Sequence, residues 1–214
     1  MIAPHQRQNL ASVIRTLMPL TAQSWGRADI HEATVSTVTR LILINGAPGS
    51  GKSTLAAALA QDSAMTLALD VDAIRHSLGR WREDTQASGL HARALSLALA
   101  REQLASGHDV LLGQFLAKTV FIEQLEALAA ALGVRFVELI LDLEPRLLAE
   151  RLATRREAPS RAEHAVNNDL VGPDDAQRLV ESLDVLHRTR PRAVWVDAQG
   201  SVASTLDRLR AALG

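Results

Sequence analysis

No cysteine occurs in the 214 residues, which excludes disulfides, thiolate metal sites and cysteine nucleophiles together and fits a reducing compartment. An excess of either charge is also missing. The formal net charge is −1, so the chain lacks the electrostatic footprint of a dedicated nucleic-acid binder. No apolar run approaches the ~20 residues that a membrane-spanning helix needs, and the first residues lack a basic stretch leading into a continuous apolar one. A cytoplasmic location without membrane attachment is therefore expected. The seven histidines show no paired spacing of metal-ligand type, and no transition-metal site is expected. What is present is ordinary globular usage, 47% apolar and 22% charged, in a chain long enough to bury one substantial core.

Residues 1–37 mix polar and apolar segments, with only Asn9 to Met18 suited to a short amphipathic helix before Pro19 stops it. They are expected to form an N-terminal extension to a domain covering 38–214. From Leu41 onward, short β-branched or leucine-rich runs alternate with longer helical stretches, the signature of βα units on a parallel sheet. Strands are expected at Leu41–Asn45, Thr66–Leu69, Asp109–Leu112, Arg135–Leu141 and Ala193–Val196. Helices are expected at Lys52–Ala60, Ala73–Leu78, Leu90–Ser106, Val120–Leu132, Pro145–Arg156, Asp174–Arg188 and Val202–Leu213. Strands this apolar must be covered on both faces, which predicts a three-layer α/β/α sandwich around a five-stranded parallel sheet. Ligands of such sheets sit beyond the carboxyl ends of the strands. That rule directs attention to Gly46, Asp70 to Asp72, Gly113-Gln114, Asp142 and Asp197-Ala198.

Gly46-Ala47-Pro48-Gly49-Ser50-Gly51-Lys52-Ser53 satisfies the phosphate-loop pattern G-x-x-x-x-G-K-[ST], with Thr54 following. It leaves an expected strand and opens an expected helix, the context the pattern requires. The glycines allow successive N–H groups to converge on phosphate oxygens, and the helix start adds its positive end. Lys52 is expected to reach the β and γ phosphates of ATP, and the Ser53 hydroxyl to take one position on Mg²⁺. Lys52 is one of only two lysines among 23 basic residues. A compact ammonium therefore stands here in a chain that otherwise uses arginine for positive charge.

The second strand runs out into Asp70-Val71-Asp72-Ala73-Ile74-Arg75. Two carboxylates thus reach the sheet edge where an acceptor hydroxyl could meet the γ-phosphate. Asp72 is the candidate general base; the alternative is an N-cap for a helix beginning at Ala73. Taken together, Gly46 to Thr54 and Asp70-x-Asp72-x-x-Arg75 resemble the small P-loop kinases that include chloramphenicol phosphotransferase, zeta toxins and polynucleotide 5′-kinases. The resemblance covers roughly Leu41 to Leu213. It implies transfer of the γ-phosphoryl group of ATP to a hydroxyl, with Lys52 as the P-loop lysine and Asp72 as the base. It also implies Arg75 as an acceptor contact, adenine near Ala198 to Ser201, and a LID segment after the fourth strand.

The segment Leu147 to Arg156 offers Arg151, Arg155 and Arg156 for that LID, Arg151 and Arg155 sharing a helix face; the alternative is a solvated face paired with Glu150 and Glu157. One departure is notable. Where many P-loop proteins end the third strand in a magnesium-holding aspartate, this chain has Gly113-Gln114. Gln114 can bond an acceptor hydroxyl but is a poor metal ligand, which shifts metal positioning onto Ser53, the phosphates and Asp70. Three functions follow: a small-molecule kinase, a polynucleotide 5′-hydroxyl kinase, or an ATP sensor without transfer. The expected partners are ATP and a small acceptor, with nucleic acid disfavoured, and the chain acting as monomer or homodimer. A chain starting near Val38 is expected to fold and bind ATP. Lost solubility or binding on that truncation, measured by gel filtration and titration, would assign 1–37 to the core.

Overall fold

The structure is a computed structural model and describes residues 38–157 and 171–214. The helix expected over 9–18, the N-terminal extension to 37 and part of the LID region, 158–170, lie outside the described residues. Five strands form one sheet: β1 Arg40–Asn45, β2 Leu67–Leu69, β3 Val110–Gln114, β4 Arg135–Asp142 and β5 Val194–Asp197. Their order is β2-β3-β1-β4-β5 and every pairing is parallel. The helices are α1 Lys52–Leu59, α2 Val71–Ser77, α3 Thr85–Ala105, α4 Val120–Leu132, α5 Pro145–Glu157, α6 Ala176–Thr189 and α7 Val202–Leu213.

Central position explains the composition of β1. Leu41, Ile42, Leu43 and Ile44 are all buried, with no alternation between faces, because helices cover the sheet on both sides. Helices α3 and α4 pack on each other and against the central strands, while α1 packs on β3 and α7, and α7 on β5. Arg40 and Asp109 fasten the entry ends of β1 and β3: Asp109 accepts from the Arg40 backbone N–H at 2.7 Å and from Nε at 2.9 Å.

Helix ends account for most boundary differences. The expected start at Leu90 moves back to Thr85 because Asp84 caps α3, accepting from the Ala87 N–H at 2.8 Å. Helix α2 starts at Val71, two residues before the expected Ala73, because its cap is Asp70, which accepts from the N–H groups of Asp72 and Ala73. The capping alternative for Asp72 is thereby corrected: Asp72 lies inside the first turn. His187 stands in the last turn of α6 and stacks on Trp195 at 3.6 Å between ring centres.

At the carboxyl end of β1 the chain leaves the sheet through Asn45, a fully buried amide. Its Oδ1 accepts from the N–H groups of Gly46 at 2.8 Å and Leu116 at 2.9 Å, and its Nδ2 donates to the Leu116 carbonyl at 2.9 Å. One side chain therefore joins the loops that follow β1 and β3. Asn45→Ala strands three buried backbone groups and is expected to cost ~2–4 kcal/mol in urea unfolding; a loss below ~1 kcal/mol would show that the two loops are held by other means.

Candidate functional site

The loops leaving β1, β2, β3 and β5 enclose one cleft of about 840 Å³, a volume typical of small-molecule sites. Its floor is the glycine-rich loop, with Pro48, Gly49, Ser50, Gly51, Lys52, Ser53 and Thr54 on the wall. Gly49 and Gly51 have φ of 91° and 94°, in the left-handed region that favours glycine. At Gly49 a Cβ would also stand 2.9 Å from Leu152 of α5. Ala47 is buried beneath the loop, and its carbonyl accepts from Lys52 Nζ at 2.9 Å. Gly46 opens the loop on the Asn45 side chain.

Burial lowers the Lys52 ammonium from near 10.5 to about 8; the nearby Arg155 charge pushes the same way, while Asp72 and Asp70 oppose. Ser53 Oγ donates to Asp70 Oδ2 at 3.2 Å, so Asp70 binds the phosphate loop with one oxygen and caps α2 with the other. Asp72 has no side-chain hydrogen bond among the described residues. Its carboxyl is pushed up mainly by burial, then by the neighbouring Asp70 charge, against the pull of Lys52, His76 and Arg75. The ammonium and two carboxylates thus face one another across the same space.

On the side formed by β3, Gly113, Gln114 and Phe115 line the cleft. A Cβ at Gly113 would meet the Lys52 backbone carbon and oxygen at 3.3 Å, so glycine at this strand end serves the close approach of β3 to α1. Among the described residues, Gln114 Oε1 is enclosed without a hydrogen-bond partner, as is Ser50 Oγ in the phosphate loop. Arg75, expected beside an acceptor, does not line the cleft. Its Nε donates to Ser88 Oγ at 3.1 Å and a terminal nitrogen to the Thr85 carbonyl at 2.9 Å, at the start of α3. Trp81 is engaged by the same group: the Arg75 guanidinium lies 4.9 Å and that of Arg82 5.2 Å from its ring centre, with His76 at 4.5 Å.

Helix α5 and the loop after β5 close the opposite side. Arg151 donates to the carbonyls of Ala198 at 2.9 Å, Gly200 at 3.0 Å and Ser50 at 3.5 Å, tying α5 to both the phosphate loop and the β5 loop. Arg155 also lines the cleft, one turn further on, whereas Arg156 does not. Asp142 and Asp197, at the carboxyl ends of β4 and β5, stand outside it; Asp197 pairs with Arg208 at 3.2 Å. Sequence reasoning missed Asn45, Phe115, Leu147, Val202 and Thr205. For Asn45 the signal was available, a polar residue closing an apolar strand directly before the loop. Among the described residues no group of three His, Cys, Asp or Glu side chains could hold a metal. The oxygen pair of Ser53 and Asp70 suits a hard cation that keeps most of its ligands from water and phosphate.

Comparison with known proteins agrees with this geometry. No curated protein sequence matches the chain. Among solved structures, a gluconokinase from Sinorhizobium meliloti 1021 is 22% identical with a TM-score of 0.55, covering 82% of this chain and 92% of its own. The Deinococcus radiodurans tunicamycin resistance protein is 16% identical with a TM-score of 0.55, covering 82% and 96%. A chain of the Pnkp1/Rnl/Hen1 RNA repair complex is 16% identical with a TM-score of 0.57, covering 76% of this chain and 50% of that one. These identities establish a shared fold, the three-layer α/β/α fold of the P-loop kinases. The profile of the AAA domain family matches residues 41–171, more than half of the chain, and the protein belongs to that family.

Proposed function

We propose that this protein is an ATP-dependent kinase that transfers the γ-phosphoryl group to a hydroxyl of a small molecule. The observation that carries the reading is that Lys52 and Asp72 line one cleft and act on each other electrostatically, while Asp72 is not a helix cap and, among the described residues, is not consumed by a side-chain hydrogen bond. A sensor that only bound nucleotide would not need a half-buried carboxylate, without a side-chain hydrogen bond among the described residues, in the cleft of the phosphate lysine.

In the proposed reaction the acceptor hydroxyl gives its proton to Asp72 as its oxygen bonds to the γ-phosphorus, and the bond from that phosphorus to the β-γ bridging oxygen breaks, releasing ADP. Lys52 holds the β and γ phosphates as a point charge, and the backbone of Gly46 to Ser53 cradles them. Arg155, on the wall beside Lys52, neutralises charge on the transferring group. Arg151 acts as a positioning residue, since its protons are already directed to the carbonyls of Ala198 and Gly200, in the segment expected to hold adenine. Magnesium, when bound, supplies charge neutralisation on the phosphates, and Ser53 with Asp70 are the residues to hold it. Asp70, directly after β2, offers a carboxylate where Gly113-Gln114 does not, which supports transfer over sensing.

The lowered Lys52 value sets a pH dependence. Phosphate favours the charged ammonium, so ATP-Mg²⁺ binding takes up a proton, and affinity is expected to fall about tenfold per pH unit above about 8. Calorimetry in buffers of different ionisation enthalpy checks this, and constant affinity between pH 7 and 9 would overturn it. In the empty protein the sign is opposite to a stabilising pair: the unfolded chain binds the extra proton between about 8 and 10.5, so Lys52 burial opposes folding below that window. Lys52→Met is expected to abolish binding while raising stability of the empty protein at pH 7 by ~1 kcal/mol, after the lost hydrogen bond is deducted.

Asp72 decides between transfer and sensing. Asp72→Asn should leave ATP affinity and stability nearly unchanged and lower phosphotransfer by ~10²-fold or more. In the unsubstituted protein the rate should fall with acid at a pH above the ordinary aspartate range, because the protonated carboxyl cannot accept, and that limb should vanish in the variant. Asp70→Asn should instead weaken the cap and the Ser53 contact, costing ~1 kcal/mol and raising the magnesium requirement. Measured transfer that survives Asp72→Asn would assign the base elsewhere.

A further inference from the structure

Resting on the kinase reading above, we infer that the acceptor is a neutral or cationic polyol or amino-alcohol, recognised as a hydrogen-bond donor by Asp72 and Gln114 Oε1, and not a phosphorylated or carboxylated molecule.

What lines the cleft on the side of β2 and β3 is a set of acceptors. Asp70 and Asp72 present carboxylates, and Gln114 presents its amide oxygen, enclosed and, among the described residues, without a hydrogen-bond partner. Phe115 adds an apolar ring beside them. A buried acceptor without a donor is costly, and Gln114 lines the same cleft as Asp72, the proposed recipient of the reacting proton. A molecule bearing several hydroxyl or ammonium groups satisfies both: one hydroxyl loses its proton to Asp72 as its oxygen takes the phosphoryl group, while a neighbouring O–H or N–H donates to Gln114 Oε1. The Phe115 ring suits the C–H face of such a molecule.

The cations point the other way. Among the described residues, those lining the cleft are Lys52, in the phosphate loop, and Arg151 and Arg155, on α5. Arg75 and His76 are close enough to Asp72 to affect its charge, but neither lines the cleft: Arg75 donates to Thr85 and Ser88, and His76 lies against Trp81. An anionic group on the acceptor would meet Asp70 and Asp72 with no lining cation on their side, a like-charge arrangement that discriminates against it.

Phosphotransfer from labelled ATP is measured with glucose, inositol and glucosamine against gluconate, glucuronate and a 5′-hydroxyl oligonucleotide, alongside a titration of ATP-Mg²⁺ binding. The expected result is a kcat/KM about tenfold or more higher for the best neutral or cationic acceptor than for any anionic one. Gln114→Leu should lower the acceptor kcat/KM by about tenfold with ATP affinity unchanged, and Gln114→Glu should shift preference toward glucosamine over glucose by about fivefold. Preference for an anionic acceptor, or an acceptor kcat/KM indifferent to both substitutions, overturns the inference while leaving the kinase reading intact. ATP binding without transfer to either class overturns the kinase reading, and this inference with it.

Discussion

An ammonium held away from water needs negative charge nearby, and the arrangement of the cleft follows from that requirement at Lys52. Among the described residues its one hydrogen-bond partner is a carbonyl of its own loop, so the larger compensation comes from Asp72 and Asp70. Asp72 is itself crowded, and the neighbouring Asp70 charge adds to the effect of burial in raising the cost of its ionisation. The empty site is thus a set of mutually compensating charges with a deficit of anion at the loop. In the proposed reaction, nucleotide phosphate would fill that deficit and leave the carboxylates to a proton and a cation.

The sheet was legible because parallel strands covered on both faces must be continuously apolar, and such runs stand out between helical stretches. All five strands lie within a residue or two of their expected positions, and α4 and α7 keep their expected bounds, α4 ending at Gly133 and α7 capped by Ser201. Short polar segments were less legible. Two aspartates two residues apart can each cap a helix, and sequence spacing does not say which carboxylate bends back to the backbone. Folding decides it by giving Asp70 a second partner, Ser53, which only tertiary structure brings within reach.

Arg75 and Arg151 illustrate the same limit. Spacing placed each on a helix near the carboxyl edge of the sheet, and both are there. Where a long guanidinium side chain points depends on which carbonyls and hydroxyls the neighbouring elements leave over, and the capped start of α3 and the loop after β5 supply them. Gly113 is the reverse case: read as a lost metal ligand, it is the residue that lets β3 approach the backbone of α1. The missing carboxylate and the tight packing of the phosphate loop are one feature.

Asp70 also acts as a mechanical joint. One oxygen fixes the first turn of α2, which carries Asp72; the other fixes Ser53, the second residue of α1. The separation between the proposed base and the phosphate loop is therefore set by the length of a single short side chain. A homologous glutamate, one methylene longer, would alter that spacing without changing charge. Tolerance at this joint is geometric, and the acceptor side of the cleft, carried by β3 and its loop, can vary in sequence without disturbing it.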